Sequence, residues 1–362
     1  MSILEYFDLV ISDYTLRTIT FGTAALGAIC GMLGSFAVLR KQSLLGDAIS
    51  HAALPGIAIA FLITQTKDNN MLLFGALISG VIATYWIRGI VTRTHLKTDA
   101  ALGIILSVFF GFGMLLLTYI QKQPNANQAG LDKYLFGQAA TLVTKDVKML
   151  LYVLGISLFI LLLFWKELKV MLFDAEYTQT LGFNVKFLDL LITFCIVLAI
   201  VLGLQTVGVV LMSAMLLAPA AAARQWTDKL WVMLFLAAIF GIVAGVFGTA
   251  ISATGDNLST GPVIVLLAVG IVIFSFVFSP TRGLLMRHFR FKKNKKSFQQ
   301  TKILLDLYRK NKSEEGEGIP LQVSNFPVRT MKELQDKGLV HIEDNAWQLT
   351  TDGITQAKNI NL

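Results

Sequence analysis

The chain carries little charge for its length. Of its 362 residues, 15% are Asp, Glu, Lys or Arg, while 55% are hydrophobic. A soluble domain has about 25% charged and about 45–50% apolar residues, so a single soluble globule is excluded. Cysteine is scarce too: Cys30 and Cys195 are the only two, and both lie in apolar runs. A disulfide framework or a thiolate metal site therefore cannot organise the fold. There is no G-x-x-x-x-G-K-[ST] loop, so the chain does not bind ATP in the P-loop manner. No nucleophile–base pair or two-carboxylate hydrolytic site stands out, which argues against covalent catalysis. The short alternating segments of a membrane β-barrel are missing. The first residues, MSILEYFDLVISDYTLR, lack the basic n-region of a signal peptide, so the first span is expected to stay in the mature protein.

What remains is apolar length. The mean hydropathy is +0.65, and several runs approach or exceed the roughly 20 residues that cross a bilayer. Candidate spans fall at about 17–39, 48–64, 71–91, 100–120, 147–165, 187–203, 205–222, 229–251 and 261–280. The seventh contains Gly208 and Pro219 and is expected to be broken or re-entrant. The expected class is an all-α polytopic membrane protein with about 8–9 transmembrane helices. Glycines recur in the spans, as at Gly22, Gly27, Gly31 and Gly34, and small residues of this kind let helices pack closely.

Basic residues set the expected orientation. Arg40 and Lys41 follow span one, Arg88, Arg93 and Lys97 end or follow span three, and Lys166, Lys169 and Lys186 follow span five. Arg224 and Lys229 follow span seven. This alternation puts the N-terminus outside and the C-terminus in the cytoplasm. The loop at 121–146 runs against it, being external yet holding Lys122, Lys133 and Lys145.

The formal net charge of +8 is unevenly spread. Residues Arg282 to Lys296 hold seven basic and no acidic side chains, and the stretch from Ser297 to Leu362 holds eight basic and nine acidic. A basic collar just past the last span suits an anionic cytoplasmic leaflet, so membrane lipid is a partner. Three parts are expected: a transmembrane domain at 1–281, a basic juxtamembrane linker at 282–297, and a small cytoplasmic domain at 298–362. In the last, NFPVRTMKELQDKG reads as helix, LVHIED and AWQLTT as two short strands around Asn345, and the remainder as helix. Leu334 and Leu339 are expected to point inward. Helices followed by a two-stranded wing make a small α+β winged helix.

Asp47 and His51 are the ionisable residues that ask for a reason. At i and i+4 they share one helix face. Carboxylate and imidazole suit first-row divalent cations. Two ligands cannot hold an ion alone, but a twofold pair of subunits would bring four to one axis. The plainer alternative is an Asp–His hydrogen bond that steadies a helix start. The polar stretch from Met171 to Leu191 reads as an interfacial helix up to Gly182, or as a docking helix for a cytoplasmic partner. His95, His288 and His341 are expected to be solvated, and Asp256 to cap a helix or line an external opening.

Four stretches together, GMLGSFAVLRKQSLLGDAISHAALPGIAIAF, FDAEYTQTLGF, GVVLMSAMLLAPAAAARQWTDKL and TGPVIVLLA, resemble the membrane permeases of ABC importers for zinc, manganese and iron. The resemblance covers about residues 15 to 280. It implies a dimer of helical bundles with the vitamin-B12-importer-like permease fold. It also implies a separate cytoplasmic ABC ATPase dimer that binds ATP, an extracellular or periplasmic metal-binding protein, and a second permease chain, identical or paralogous. Asp47 and His51 match the family's metal-path pair. Asp174, Glu176 and Gly182 match the coupling helix that rests in the ATPase groove. The implied setting is the bacterial cytoplasmic membrane, with Mn²⁺, Zn²⁺ or Fe²⁺ as cargo and no permanently bound cofactor. Residues 298–362 resemble the winged-helix part of metal-dependent repressors, although their net charge of −1 disfavours DNA as a partner. The rival readings are a proton-coupled secondary metal transporter and a membrane-tethered, metal-responsive transcription regulator.

Overall fold

The computed structural model describes residues 12–66, 68–122, 137, 142–255, 258–313, 328–343 and 346–360. It divides the chain into two compact units, Met1–Gly283 and Leu284–Leu362. Asp256, Lys133 and Asn345 lie outside the described residues.

The first unit is all helical: α1 (Tyr14–Leu39), α2 (Leu45–Thr64), α3 (Asn69–Arg93), α4 (Thr98–Gln121), α5 (Thr144–Leu163), α6 (Trp165–Phe173), α7 (Ala175–Thr180), α8 (Val185–Val207), α9 (Val209–Trp226), α10 (Leu230–Thr254) and α11 (Thr260–Phe278). Among the described residues eight of these are long and apolar enough to cross a membrane: α1 to α5, α8, α10 and α11. Polar caps set several starts. Asp13 accepts from the Thr15 and Leu16 amides, Asp68 from Asn70, and Asn184 from Phe187, meeting donors that have no partner inside the helix. The expected break in the seventh span is a single residue. Gly208, at φ 88°, ends α8 and starts α9 without a loop. Past it α9 is a continuous 18-residue helix with Pro219 inside. Neighbours cover it on all sides, so a proline that removes one backbone bond is tolerated there.

Burial sorts the helices into an inner set (α1, α2 and α8) and an outer set with more open faces (α3, α4, α5, α10 and α11). The inner contacts are made backbone to backbone. A Cβ placed on Gly27 would stand 2.2 Å from the Gly241 carbonyl oxygen, and one on Gly31 would stand 2.2 Å from that of Ala237. Thr23 and Thr249 add a hydroxyl–hydroxyl bond of 3.0 Å across the same α1–α10 seam. On α2, Gly56 lies against Gly75 of α3, and Gly113 of α4 lies against Leu54 and Pro55. These glycines are required by space. Gly241→Ala is expected to cost about 1–3 kcal/mol through forced separation of α1 and α10. Thermal unfolding of the purified chain in detergent would show it, and an unchanged midpoint would refute the contact.

The second unit holds α12 (Leu284–Ser313), α13 (Val328–Asp336), an antiparallel pair β1 (Val340–Glu343) and β2 (Ala346–Leu349), and α14 (Thr351–Ile360). α12 runs unbroken through the basic collar into the tail. Ile303, Leu304, Leu307, Met331, Leu334, Val340, Trp347 and Ala357 form a separate core, with Leu339 partly buried beside it. His341 corrects one expectation. It pairs with Gln348 in the hairpin register and is half-buried rather than solvated, because the strand lies on this core. His95 and His288 are exposed as expected.

Candidate ion path and docking helix

α1 ends in a tight turn. Lys41 sits at φ 57°, the Gln42 amide bonds the Ala37 carbonyl, and α2 restarts at Leu45. Asp47 and His51 therefore lie in the first two turns of α2, His51 about 9 Å along the axis from Leu45. From Leu45 to Ala58 every residue is buried except these two. The Asp47 side chain is 34% exposed and that of His51 14%, with Oδ1 of the first 3.4 Å from Nε2 of the second. Farther along the same i, i+4 stripe stand Ile59 and Ile63, both exposed.

The imidazole is held in place. The ring meets Phe110 of α4 edge to face, with centroids 4.6 Å apart. Its buried Nδ1 has no hydrogen-bond partner among the described residues. Pro55, four residues on, has no N–H for the His51 carbonyl. Ser79 supplies a donor one residue along, bonding the Ala52 carbonyl at 2.6 Å. Among the described residues no group of three His, Cys, Asp or Glu side chains comes together. One chain thus offers a dication two side-chain ligands, on a face open to its surroundings.

The structure explains two members of the second residue set as shapers of a short helix. The Asp174 carboxylate accepts from the Tyr177 amide at 2.9 Å and so caps α7. Gly182, at φ 85°, ends it in a conformation that favours glycine. Between them Glu176 is exposed, as are Tyr177 and Leu181. α7 is an exposed, capped knob, separate from the Asp47–His51 pair.

Two polar clusters went unnoticed in the sequence. Arg40, read there as a topological marker, has a mostly covered side chain, ion-paired with Asp189 of α8 and 3.3 Å from the Thr193 hydroxyl. At the other end of α8, Asn69 Nδ2 donates to Asp146 at 3.3 Å and to Gln205 at 3.0 Å, and the Gln205 amide donates to Asp146 at 3.3 Å. The available signal was the same in each case, a lone polar residue in an apolar run: Asp189 in FLDLL and Gln205 in LGLQTVG. The partners could not be read, because they come from distant helices.

A bundle of eight candidate spans, with an acid–imidazole pair on an open face and an exposed capped knob between spans, is that of a polytopic helical membrane protein. The chain belongs to the ABC 3 transport family, whose model matches residues 12–279. It is 50% identical to the zinc transport system membrane protein TroC of Treponema pallidum over 279 residues, 77% of this chain and 94% of that one. It is 41% identical to the manganese transport system membrane protein MntC of Bacillus subtilis over 341 residues, 92% of this chain and 78% of that one. The second match is too long to lie within the first unit, so the likeness continues past Gly283. Among solved structures, PsaBC from Streptococcus pneumoniae in complex with Fab matches with a TM-score of 0.69 and 31% identity, over 80% of this chain and all of that chain.

Proposed function

We propose that the chain is the membrane-spanning subunit of an ABC importer that carries a divalent transition-metal ion into a bacterial cytoplasm. The observation that carries this is the burial pattern of α2, whose first fourteen residues are closed except at Asp47 and His51. A carboxylate and an imidazole on a face open to lipid would be costly. The same face turned toward a second permease chain makes a polar opening on the pair's axis. The 3.4 Å between Oδ1 and Nε2 is also the separation of two ligands on one tetrahedral ion at bonds of about 2.1 Å. Two copies supply four ligands. Low affinity at this ring of ligands would help, because a site that holds an ion too tightly does not conduct.

In this reading the N-terminus is outside and the C-terminus inside. α7 docks in a groove of a separate ATPase through Glu176, Tyr177 and Leu181, and a binding protein delivers the ion from outside. ATP-driven closure of the ATPase dimer moves α7 and rocks the helices, each state being favoured by a different ligand. The likeness to TroC and to MntC supports metal cargo, and their different metals leave the choice among Zn²⁺, Mn²⁺ and Fe²⁺ to geometry and the binding protein. The second unit, with its helices, hairpin and closing helix, is read as a winged-helix type of regulatory or interaction module.

Proteoliposomes test the function. Metal uptake is expected only with the partner ATPase, the binding protein and ATP. Uptake by the chain alone under a pH gradient would mark a secondary transporter instead. Replacing Glu176, Tyr177 and Leu181 together with Ala is expected to drop metal-stimulated ATP hydrolysis to its basal level while the chain stays folded. Stimulation that survives would place the contact elsewhere.

A further inference from the structure

A cavity of about 820 Å³ opens between the last turns of α3 and the start of α8, beside the docking helix. Its lining combines Tyr85, Trp86 and Phe187 with Arg88, Arg93 and Lys186. The order along α3 is informative. The aromatics come first and the basic residues follow, and Tyr85 stands about 12 Å up the axis from Arg93. Tyr85 is 71% exposed and Trp86 55%, and the Trp86 ring is set edge-on against Phe109 of α4. Aromatic rings above basic side chains are what the bilayer interface selects. A protein docking on the helix ends would meet Arg93 and Lys186 but would not reach Tyr85, whereas a lipid lying along α3 touches both.

The electrostatics point the same way. Asp189, the carboxylate on this part of α8, is already taken by Arg40. Among the described residues no carboxylate is in ion-pair contact with Arg88, Arg93 or Lys186. The Arg88 guanidinium, among the described residues, bonds only the Lys186 carbonyl, at 3.3 Å. Arg88, Arg93 and Lys186 bring three positive charges to one cavity lining, and one anion would offset them. Basic pockets between spans at the cytoplasmic face take anionic headgroups, and the volume is that of an ordinary ligand site.

We propose that this cavity seats one anionic phospholipid, its phosphate on Arg88, Arg93 and Lys186 and its chains along Tyr85 and Trp86. The position beside α7 as an ATPase contact and the placement at the cytoplasmic face rest on the proposed function. The lipid contact is measured on the full-length chain without ATPase or metal, so its failure is distinguishable from a failure of that reading.

The purified chain in neutral detergent is titrated with phosphatidylglycerol or with phosphatidylcholine of the same acyl chains, and native mass spectrometry counts the lipid retained. One phosphatidylglycerol per chain is expected, held in preference to phosphatidylcholine. Combining R88Q, R93Q and K186Q is expected to weaken it by about fivefold for each charge removed, with phosphatidylcholine unaffected. Should that triple variant fail to fold, R93Q alone, on the exposed last turn, is expected to give the fivefold loss. Equal retention of the two lipids by the wild type, or full phosphatidylglycerol binding by the variants, overturns the proposal. Displacement of the lipid by equimolar inorganic phosphate would mark a small-anion site and overturn it too. So would a triple variant that keeps its lipid yet no longer captures the ATPase, since the surface would then belong to that partner.

Discussion

Asp47→Asn or His51→Gln is expected to abolish metal uptake while leaving the chain folded and able to bind its ATPase. Asn keeps the shape of Asp, while Gln comes near the length of His but gives up the ring that meets Phe110. Asn keeps a hydrogen-bonding oxygen but removes the charge that offsets a dication, and Gln loses the ring nitrogen whose lone pair binds metal. In a twofold assembly of one chain each substitution counts twice, so both carboxylates, or both imidazoles, go at once. Stability should barely change in Asp47→Asn, where the side chain is 34% exposed, and should fall by about 0.5–1.5 kcal/mol in His51→Gln, which loses the ring contact with Phe110. The structural alternative makes the opposite forecast. An acidic residue in the first turn of a helix is worth about 0.3–1 kcal/mol, so on that view uptake survives and only the melting point slips. Metal uptake in proteoliposomes, read beside thermal unfolding of the same variants, separates the two. Wild-type uptake in both variants would reduce the pair to a helix start.

Much of this arrangement could be read along the chain, and the reason is local. Runs of apolar residues long enough to span a bilayer gave the long helices of the first unit to within a few residues, since each helix satisfies its own backbone, whereas α6 was not set apart from the span before it. The alternation in LVHIED and AWQLTT likewise marked β1 and β2. Asp47 and His51 could be singled out because four residues make one helix face. The surroundings of the pair could not. That Phe110 braces the imidazole, and that the rest of early α2 is covered, follow from α4 and α3 packing on α2 near Gly113, Gly56 and Gly75 and from α9, whose Ser213 and Leu216 lie against Gly46. Pattern within one segment says nothing about which other segment fills the groove. The same limit made Arg40 look like a solvated topological charge. Only the fold brings Asp189 to it, and a basic residue next to a span reads identically whether its side chain meets water or a carboxylate. Gly208 lies between these extremes: the glycine was legible as a break, but its service as the whole connection between α8 and α9 depends on a positive φ that sequence does not display.

The Arg40–Asp189 pair should respond asymmetrically to substitution. Asp189→Leu leaves the Arg40 guanidinium, whose side chain is only 10% exposed, without its counterion and with Arg88 as a neighbour of like charge. Stranding a buried charge costs about 3–5 kcal/mol, so this variant is expected to lose most of its folded yield. Arg40→Met leaves Asp189, whose side chain is 38% exposed and can take water in place of the guanidinium, and it should cost clearly less. Replacing both together removes the unpaired charge and is expected to recover stability. A double-mutant cycle on thermal unfolding in detergent measures the coupling, and an Asp189→Leu chain as stable as Arg40→Met would refute it. Recovery of folding need not bring recovery of transport. The pair joins the end of α1, from which the turn leads directly into the helix of Asp47, to α8, which continues from the docking helix through Asn184. In the proposed function, an ion pair with a fixed geometry would transmit a displacement of α7 to that turn, whereas Met and Leu would slide past one another. The double variant is therefore expected to fold and to bind the ATPase but to import metal more slowly for each ATP hydrolysed. The measurement is the ratio of uptake to hydrolysis in proteoliposomes, and a wild-type ratio would confine the pair to holding the bundle together.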